Sequence, residues 1–539
     1  MVVKISVLAA YFLVVLAVGL VARTRWKSSP AAYFLADRTL GTLVLLATMT
    51  ATNFSAFTVF GASGAGYRDG WSFFPIMGFG TGFMALSFWV IGRRAWRVGS
   101  ERGVITPPEL VRALYGSPGL SVLFAAVMIV FTVPYLALQP MAAGYALQEL
   151  VGLPHAAGCV LVTAIIVLYT LRGGMRAVAW TDLFQGLLML LLLAAAVAMV
   201  AGRHGGFVAA ARQALELKPE LFARPGGQGL YTTGVWFSYM ALWFFCDPMF
   251  PQLFQRFFAA HSERSIARIM LLYPLVCTIV FFAPVAVGVL GHLSFPGLVG
   301  RQADRILPMV VNAASGDMMA ALVTAAGLAA LMSTMDSQLL TLSSIFTRDV
   351  LGLFRRRYAD SSLPGRLFVI GLSLAGLALA LRPPATILQI ATETFTGLAV
   401  LFPTVVFGLY LRPVFAPAAA ASIALGETAL ACFHFKWVSP APFLPVVWVM
   451  LVAFGAYLVV HAVMSAREAG ARPRFPRWGV DRSFLMSAMI FALAMDFWAW
   501  GAAGPLVLGV PAWVAYFIGL STLQTGLMAW MIRRQYPFR

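Results

Sequence analysis

Apolar runs of about twenty residues, separated by short segments that collect Arg, Pro and Gly, repeat along the whole chain. Crossing a hydrocarbon core takes ~20 residues of helix. The pattern therefore predicts fifteen membrane-spanning helices, at roughly 3–22, 40–66, 71–92, 120–149, 156–171, 178–202, 231–256, 267–292, 306–346, 366–382, 386–411, 414–434, 443–465, 484–504 and 511–532. Barrel strands would be shorter and alternating; these runs are neither. Two segments depart from simple helix. Residues 47–66 mix Thr, Asn, Ser and Gly, and 239–251 run Tyr-Met-Ala-Leu-Trp-Phe-Phe-Cys-Asp-Pro-Met-Phe-Pro. Counted from the second span, they are the first and sixth of a ten-helix block, equivalent places in two five-helix halves. Paired interruptions of this kind point to an inverted-repeat transporter with its site near the midplane. Irregular backbone survives at that depth only where it lines a cavity or protein. As mere kinks between packed helices, Pro248 and the glycines would need no such role.

Composition agrees with the pattern. The chain has 539 residues, 61% hydrophobic and 11% charged, and a mean hydropathy of +0.86, beyond the range of soluble domains. A net charge of +18 invites a nucleic-acid partner, but Lys and Arg lie between the spans. Alternate loops, counting Arg256 among their residues, hold 28 of the 38 basic residues. The positive-inside rule then puts the N-terminus outside and the C-terminus in the cytoplasm, which requires an odd number of spans, in a bacterial-type inner membrane. The first span is longer than a signal-peptide core and lacks a clear cleavage site, so it reads as a retained helix. Cys159, Cys246, Cys277 and Cys432 are scattered in or beside spans and imply neither a disulfide framework nor a zinc site.

Residues 327–349 carry the most specific chemistry. Ala330, Ser333, Thr334 and Ser337 recur at i, i+3, i+4 and i+7, so their polar atoms converge on one face of a helix. A polar stripe in a spanning helix faces protein or a water-filled path and marks a functional site by default; as packing glue, small hydroxyl residues would also serve.

Several strings resemble the sodium:solute symporters, a family that includes proline, pantothenate, sugar and sialic-acid transporters. They are Tyr33-Phe34-Leu35-Ala36-Asp37-Arg38-Thr39-Leu40-Gly41, Ala51-Thr52-Asn53-Phe54-Ser55-Ala56, the run Gly173 to Gln185, Phe254-Gln255-Arg256, and the stretch at 329–349. The likeness covers most of residues 1–465. It implies an all-α polytopic membrane protein with a leucine-transporter-type 5+5 inverted repeat and one preceding helix. The expected organisation is a leading helix and cytoplasmic segment (1–35), a ten-helix core (36–412), two following helices (413–465), a cytoplasmic linker (466–482) and a two-helix accessory unit (483–539).

Carried over position by position, the family's principal sodium site falls on the carbonyls of Ala51, Phe54 and Ala330 and the hydroxyls of Ser333 and Thr334. Neutral oxygens replace part of a hydration shell without an anion that would hold the ion too tightly to release. Asp182 resembles the acid on the family's intracellular exit path, with a second site for a cation or a proton formed by Asp182, Ser333, Asp336 and Ser337. Asp336 departs from the uncharged residue usual there. Alternatively it pairs with an Arg such as Arg176. Arg38 matches a basic residue tied to intracellular gating, which could pair with Asp349 or simply anchor the cytoplasmic side.

The solute should lie beside the sodium site, against Asn53, Ser55, Phe57 and Thr58, Tyr135 and Gln139, and Tyr239, Trp243, Phe244 and Asp247. Aromatic walls with a few polar groups suit a small, partly apolar solute. Sugar-transporting relatives carry Glu-Gln where this chain has Phe57-Thr58, so small organic acids and amino acids lead. Asp247 would favour an amine or zwitterion if it faces the cavity; the preferred reading is a helix cap at Pro248. Residues 484–532 resemble small two-helix membrane proteins that accompany such symporters as separate chains. The expected function is sodium-coupled symport by a monomer, with a small solute and the bilayer as partners and no nucleic acid. A proton-coupled transporter and a membrane sensor are the alternatives. An intramembrane enzyme built on Asp182 and Asp336 lacks a recognised nucleophile or metal signature.

Overall fold

A computed structural model describes residues 1–21, 29–354, 362–468, 482–496, 498–501 and 503–535. Among these, helix is the rule and the one hairpin pairs Leu506–Val507 with Val510–Pro511. Twelve helices among the described residues are long and apolar enough to cross a membrane. The expected fifteen is not reached by that measure, because length fails where helices are interrupted. Thr42–Asn53 and Arg482–Leu493 are short apolar helices, and Thr233–Cys246 has 14 residues. The run expected at 306–346 divides into Ile306–Ala314 and Asp317–Ile345, with Ser315 and Gly316 extended between them. The two spans expected at 156–171 and 178–202 are present as His155–Arg172 and Gly174–Gly202, joined by a kink at Gly174, whose φ of 70° only glycine adopts cheaply.

Both expected interruptions are present. The first core helix stops at Asn53, and Phe54 turns extended (φ −88°, ψ 93°). Its second half resumes through Phe57–Gly61 into Ala62–Asp69. Freed backbone donors at the break are taken up by side chains: Gln139 Oε1 accepts from Ala56 N (3.0 Å) and Ser55 Oγ from Phe57 N (3.2 Å), as burial at this depth demands. The sixth core helix runs Thr233–Cys246, passes a tight turn at Asp247–Met249, and restarts as Pro251–Ala259. Pro248 and Pro251 lack the amide hydrogens that a continuous helix would use.

The eighth core helix, Asp317–Leu351, is the hub. Every residue from Val323 to Ile345 is buried, so its hydroxyls face protein on all sides. The first core helix and the seventh, Glu263–Leu290, touch backbone to backbone: a Cβ on Gly288 would lie 2.2 Å from the Ser63 carbonyl oxygen. Small residues permit that approach.

The C-terminal helices, Arg482–Leu493 and Ala512–Gln535, dock on the core. Arg224, in the loop before the sixth core helix, pairs with Asp496 at 2.7 Å, both side chains essentially inaccessible. Its guanidinium lies 4.6–5.1 Å from the rings of Trp236, Trp500 and Trp513. Trp236 and Trp513 donate across the seam to the carbonyls of Ala494 and Phe222. Burial draws the proton affinity of Arg224 below the usual guanidinium range, and Asp496 opposes that. The linker expected at 466–482 lies largely outside the described residues.

Candidate ion and solute site

The break of the first core helix presses against the middle of the eighth. Ser333 Oγ donates to the carbonyls of Ala51 (2.8 Å) and Ala330 (2.9 Å). Thr334 Oγ1 reaches those of Thr52 (3.0 Å) and Ala330 (3.2 Å). A hydroxyl that donates one hydrogen keeps lone pairs for a cation, so these neutral oxygens form a donor set suited to a small monovalent ion. Of the five atoms expected from the sequence, those of Ala51, Ala330, Ser333 and Thr334 are joined by these bonds. Phe54 sits at the break, its extended ψ turning its carbonyl out of the helical ladder. Thr52 is the carbonyl that the expected set lacked.

Toward the end of the eighth helix that carries Arg348, a second polar cluster forms around Asp182. Arg256 Nη2 donates to Asp182 Oδ2 (2.9 Å) and to Ser337 Oγ (2.7 Å), and its Nε to Thr48 Oγ1 (2.9 Å). Thr48 donates to Asp182, and Thr52 Oγ1 lies 2.9 Å from Ser337 Oγ. Arg256 and Asp182 are wholly inaccessible. Arg256 is thus no loop charge, contrary to its place in the positive-inside count. The signal was available: a lone Arg amid Phe254, Phe257 and Phe258 in a spanning run implies a buried partner. Among the described residues, the suggested pairing of Asp336 with an Arg such as Arg176 does not occur. Asp336 accepts from Ser337 (3.2 Å), and its Oδ2 is buried without a partner.

Beside the break lies a small cavity lined by Asn53, Phe57, Thr58, Tyr135, Trp243 and Asp247, with Thr81 and Phe395 added by the fold. Its volume, about 10 Å³, is at the lower limit for one water molecule, so a solute enters only once the walls part. Asp247 faces it. Its Oδ2 accepts from Asn53 Nδ2 (3.4 Å), which also donates to Tyr273 (2.7 Å), and Pro251–Ala259 has no side-chain cap. The preferred reading of Asp247 as a cap is therefore corrected. Thr81 Oγ1 and Trp243 Nε1 are buried without hydrogen-bond partners.

Four candidates fall elsewhere. Gln139 and Ser55 hold the break together. Tyr239 stacks on Trp243 and reaches Thr392. Phe244 points away, into a cavity against the C-terminal helices. Arg38 does not pair with Asp349: it donates to the carbonyls of Phe258, Gly99 and Val104, stitching three segments together, while Asp349 accepts from Thr106 (2.6 Å).

The model of the sodium:solute symporter family matches residues 33–426. The chain belongs to this family. Among curated proteins, the sodium/pantothenate symporter of Escherichia coli (strain K12) is 26% identical over 463 residues, 83% of this chain and 94% of that one. The high-affinity proline transporter PutP of Bacillus subtilis (strain 168) is 26% identical over 392 residues, 70% of this chain and 81% of that one. A solved Na⁺-coupled sialic acid symporter, in a substrate-bound outward-open state, shares the fold with a TM-score of 0.71 at 18% identity, over 86% of this chain and 98% of the other. The nucleobase-cation-symport-1 family transporter Mhp1, closed, gives 0.57 at 14% identity. This sodium:solute symporter is accordingly a multi-pass membrane protein that couples sodium to the movement of a small organic solute.

Proposed function

We propose that this symporter carries a zwitterionic, amino-acid-like solute inward together with sodium, by alternating access. The observation that bears most weight is the contact of Ser333 and Thr334 with the carbonyls of Ala51 and Thr52, at the break that also borders the cavity holding Asp247. Sodium lodged among Ala51, Phe54, Ala330, Ser333 and Thr334 would tie the broken helix to the hub, and ion and solute would each raise the other's affinity by linkage. Asp247 offers a carboxylate to an ammonium; Thr81 and Trp243 offer unused donors to a carboxylate. The relatives' names, a pantothenate symporter and a proline transporter, suit a solute bearing a carboxylate. The site is complete in one chain, which suits a monomer. Removing Arg256 from the positive-inside count leaves the N-terminus outside and the C-terminus inside.

In the second site, Asp182 is already neutralised by Arg256, so a further cation among Asp182, Ser333, Asp336 and Ser337 would have to displace a guanidinium. We read the stoichiometry as one sodium. Proton coupling is the second reading, and the partnerless Oδ2 of Asp336 favours it. Uptake by proteoliposomes decides. Ser333→Ala with Thr334→Ala should abolish sodium-driven uptake while the protein remains folded and inserted. Unchanged uptake, or uptake driven by a proton gradient alone, would remove the sodium assignment.

A further inference from the structure

A cavity of about 860 Å³ lies between the core and the C-terminal helix pair, away from the candidate ion and solute site. Phe83, Phe244, Phe402, Phe454, Phe484 and Phe491 contribute its apolar walls. Such a wall inside a bilayer accepts hydrocarbon.

One end of the cavity is different. Trp89, Tyr410, Arg534 and Gln535 lie there. Arg93 sits 3.8 Å over the Trp89 ring, Arg94 3.6 Å over Tyr410, and Arg534 5.5 Å from Trp530. Trp and Tyr with Arg gather at headgroup depth, so this end opens at the membrane interface. Arg93 Nη1 donates to Gln535 Oε1 (2.9 Å), which brings the second core helix and the last helix of the chain to one mouth. Glu263 accepts from Arg93 and Arg97, and Arg94 donates to the Leu409 carbonyl (3.2 Å).

We propose that this cavity binds an anionic phospholipid, its acyl chain along the phenylalanine walls and its headgroup at Arg94 and Arg534. The shape matches an amphiphile in both halves: apolar length within the bilayer, positive charge at one end only. Basic pockets between spanning helices hold anionic headgroups by this chemistry. The lipid then serves as mortar between transport core and C-terminal pair. The inference needs the membrane embedding and not the assignment of the ion site.

The test uses the full chain, delipidated in detergent and titrated with phosphatidylglycerol or phosphatidylcholine of identical acyl chains. Thermal stability and co-purifying lipid are the readouts, since a ligand of the native state raises its melting temperature. Phosphatidylglycerol should act at about tenfold lower concentration. Arg94→Gln with Arg534→Gln should erase that preference and keep the common response. Ala488→Trp, which projects an indole across the cavity, should sharply weaken the response to both lipids without lowering stability in detergent. Equal potency of the two lipids on the unaltered chain, or a full response in Ala488→Trp, overturns the proposal. Should the double arginine variant fail to fold, the unaltered chain and Ala488→Trp still decide it.

Discussion

Among the described residues, the arginine–aspartate pairs Arg256–Asp182 and Arg224–Asp496 are closed off from solvent on both sides, and their surroundings differ. Arg256–Asp182 (2.9 Å) and Arg224–Asp496 (2.7 Å) are equally dry. Around the first stand hydroxyls, those of Thr48, Thr52 and Ser337, on elements that include the broken helix and the hub. Around the second stand three indoles, those of Trp236, Trp500 and Trp513. Hydroxyls can exchange partners, donating or accepting as helices move. Indole faces cannot. They hold a cation by their quadrupole, for about 2 kcal/mol when desolvated. The same ion pair therefore stands among groups able to exchange partners beside the candidate ion site and among groups that hold it fixed at the C-terminal seam.

The largest effect that would sharpen this contrast is at the inner pair. Arg256→Gln should leave Asp182 without its countercharge beside the proposed sodium site and sharply cut sodium-driven uptake, besides costing roughly 3–5 kcal/mol of stability through removal of one buried partner. Uptake counted per folded molecule is the measure. Near-normal uptake would make the inner pair as structural as the outer one.

At the outer seam, Asp496→Ala should cost about 3–5 kcal/mol of stability by the same argument, seen as a lower melting temperature in detergent, with uptake per surviving molecule little changed. The double change Arg224→Met with Asp496→Leu should recover most of that loss, because apolar replacement of a whole buried pair is often neutral. Failure of the double change to recover would mean that charge, beyond packing, holds the seam.

Next in size is the solute cavity. Asp247→Asn should raise the solute concentration for half-maximal uptake about tenfold, the scale of a charge-assisted hydrogen bond (~1.5–3 kcal/mol), and leave the sodium dependence in place. Phe244→Ala should do least: its side chain faces the cavity beside the C-terminal helices, so solute affinity should stay within about twofold. A solute effect equal to that of Asp247→Asn would put Phe244 back in the binding path.

The legible parts of the site were those written in one helix. Ser333 and Thr334 are consecutive on a regular segment, so period alone placed them on the face that meets the break. Arg256 was misfiled because a charge near a predicted boundary reads equally as a loop anchor or a buried ion. Its partner lies 74 residues away in sequence. Asp247 was misjudged for a related reason: beside Pro248 a carboxylate is a good local cap, and only the approach of Asn53 from another helix draws it to the cavity. Phe244 shares its helix with Trp243, and which of the two faces the solute depends on the rotation of that helix against its neighbours.

By itself the sequence determined that this chain crosses a membrane many times, that two of its core helices are interrupted at matching places, and that hydroxyls line one face of one helix. Those properties are local, set by hydropathy over about twenty residues, by proline and by helical period. Tertiary structure alone decided which carboxylate Arg256 neutralises, that Asp247 lines a cavity, and that Arg224 and Asp496 rivet the last two helices to the core. Such outcomes are settled by contacts between distant segments. A buried charge must find a partner, and the chain's own order does not say which segment brings it.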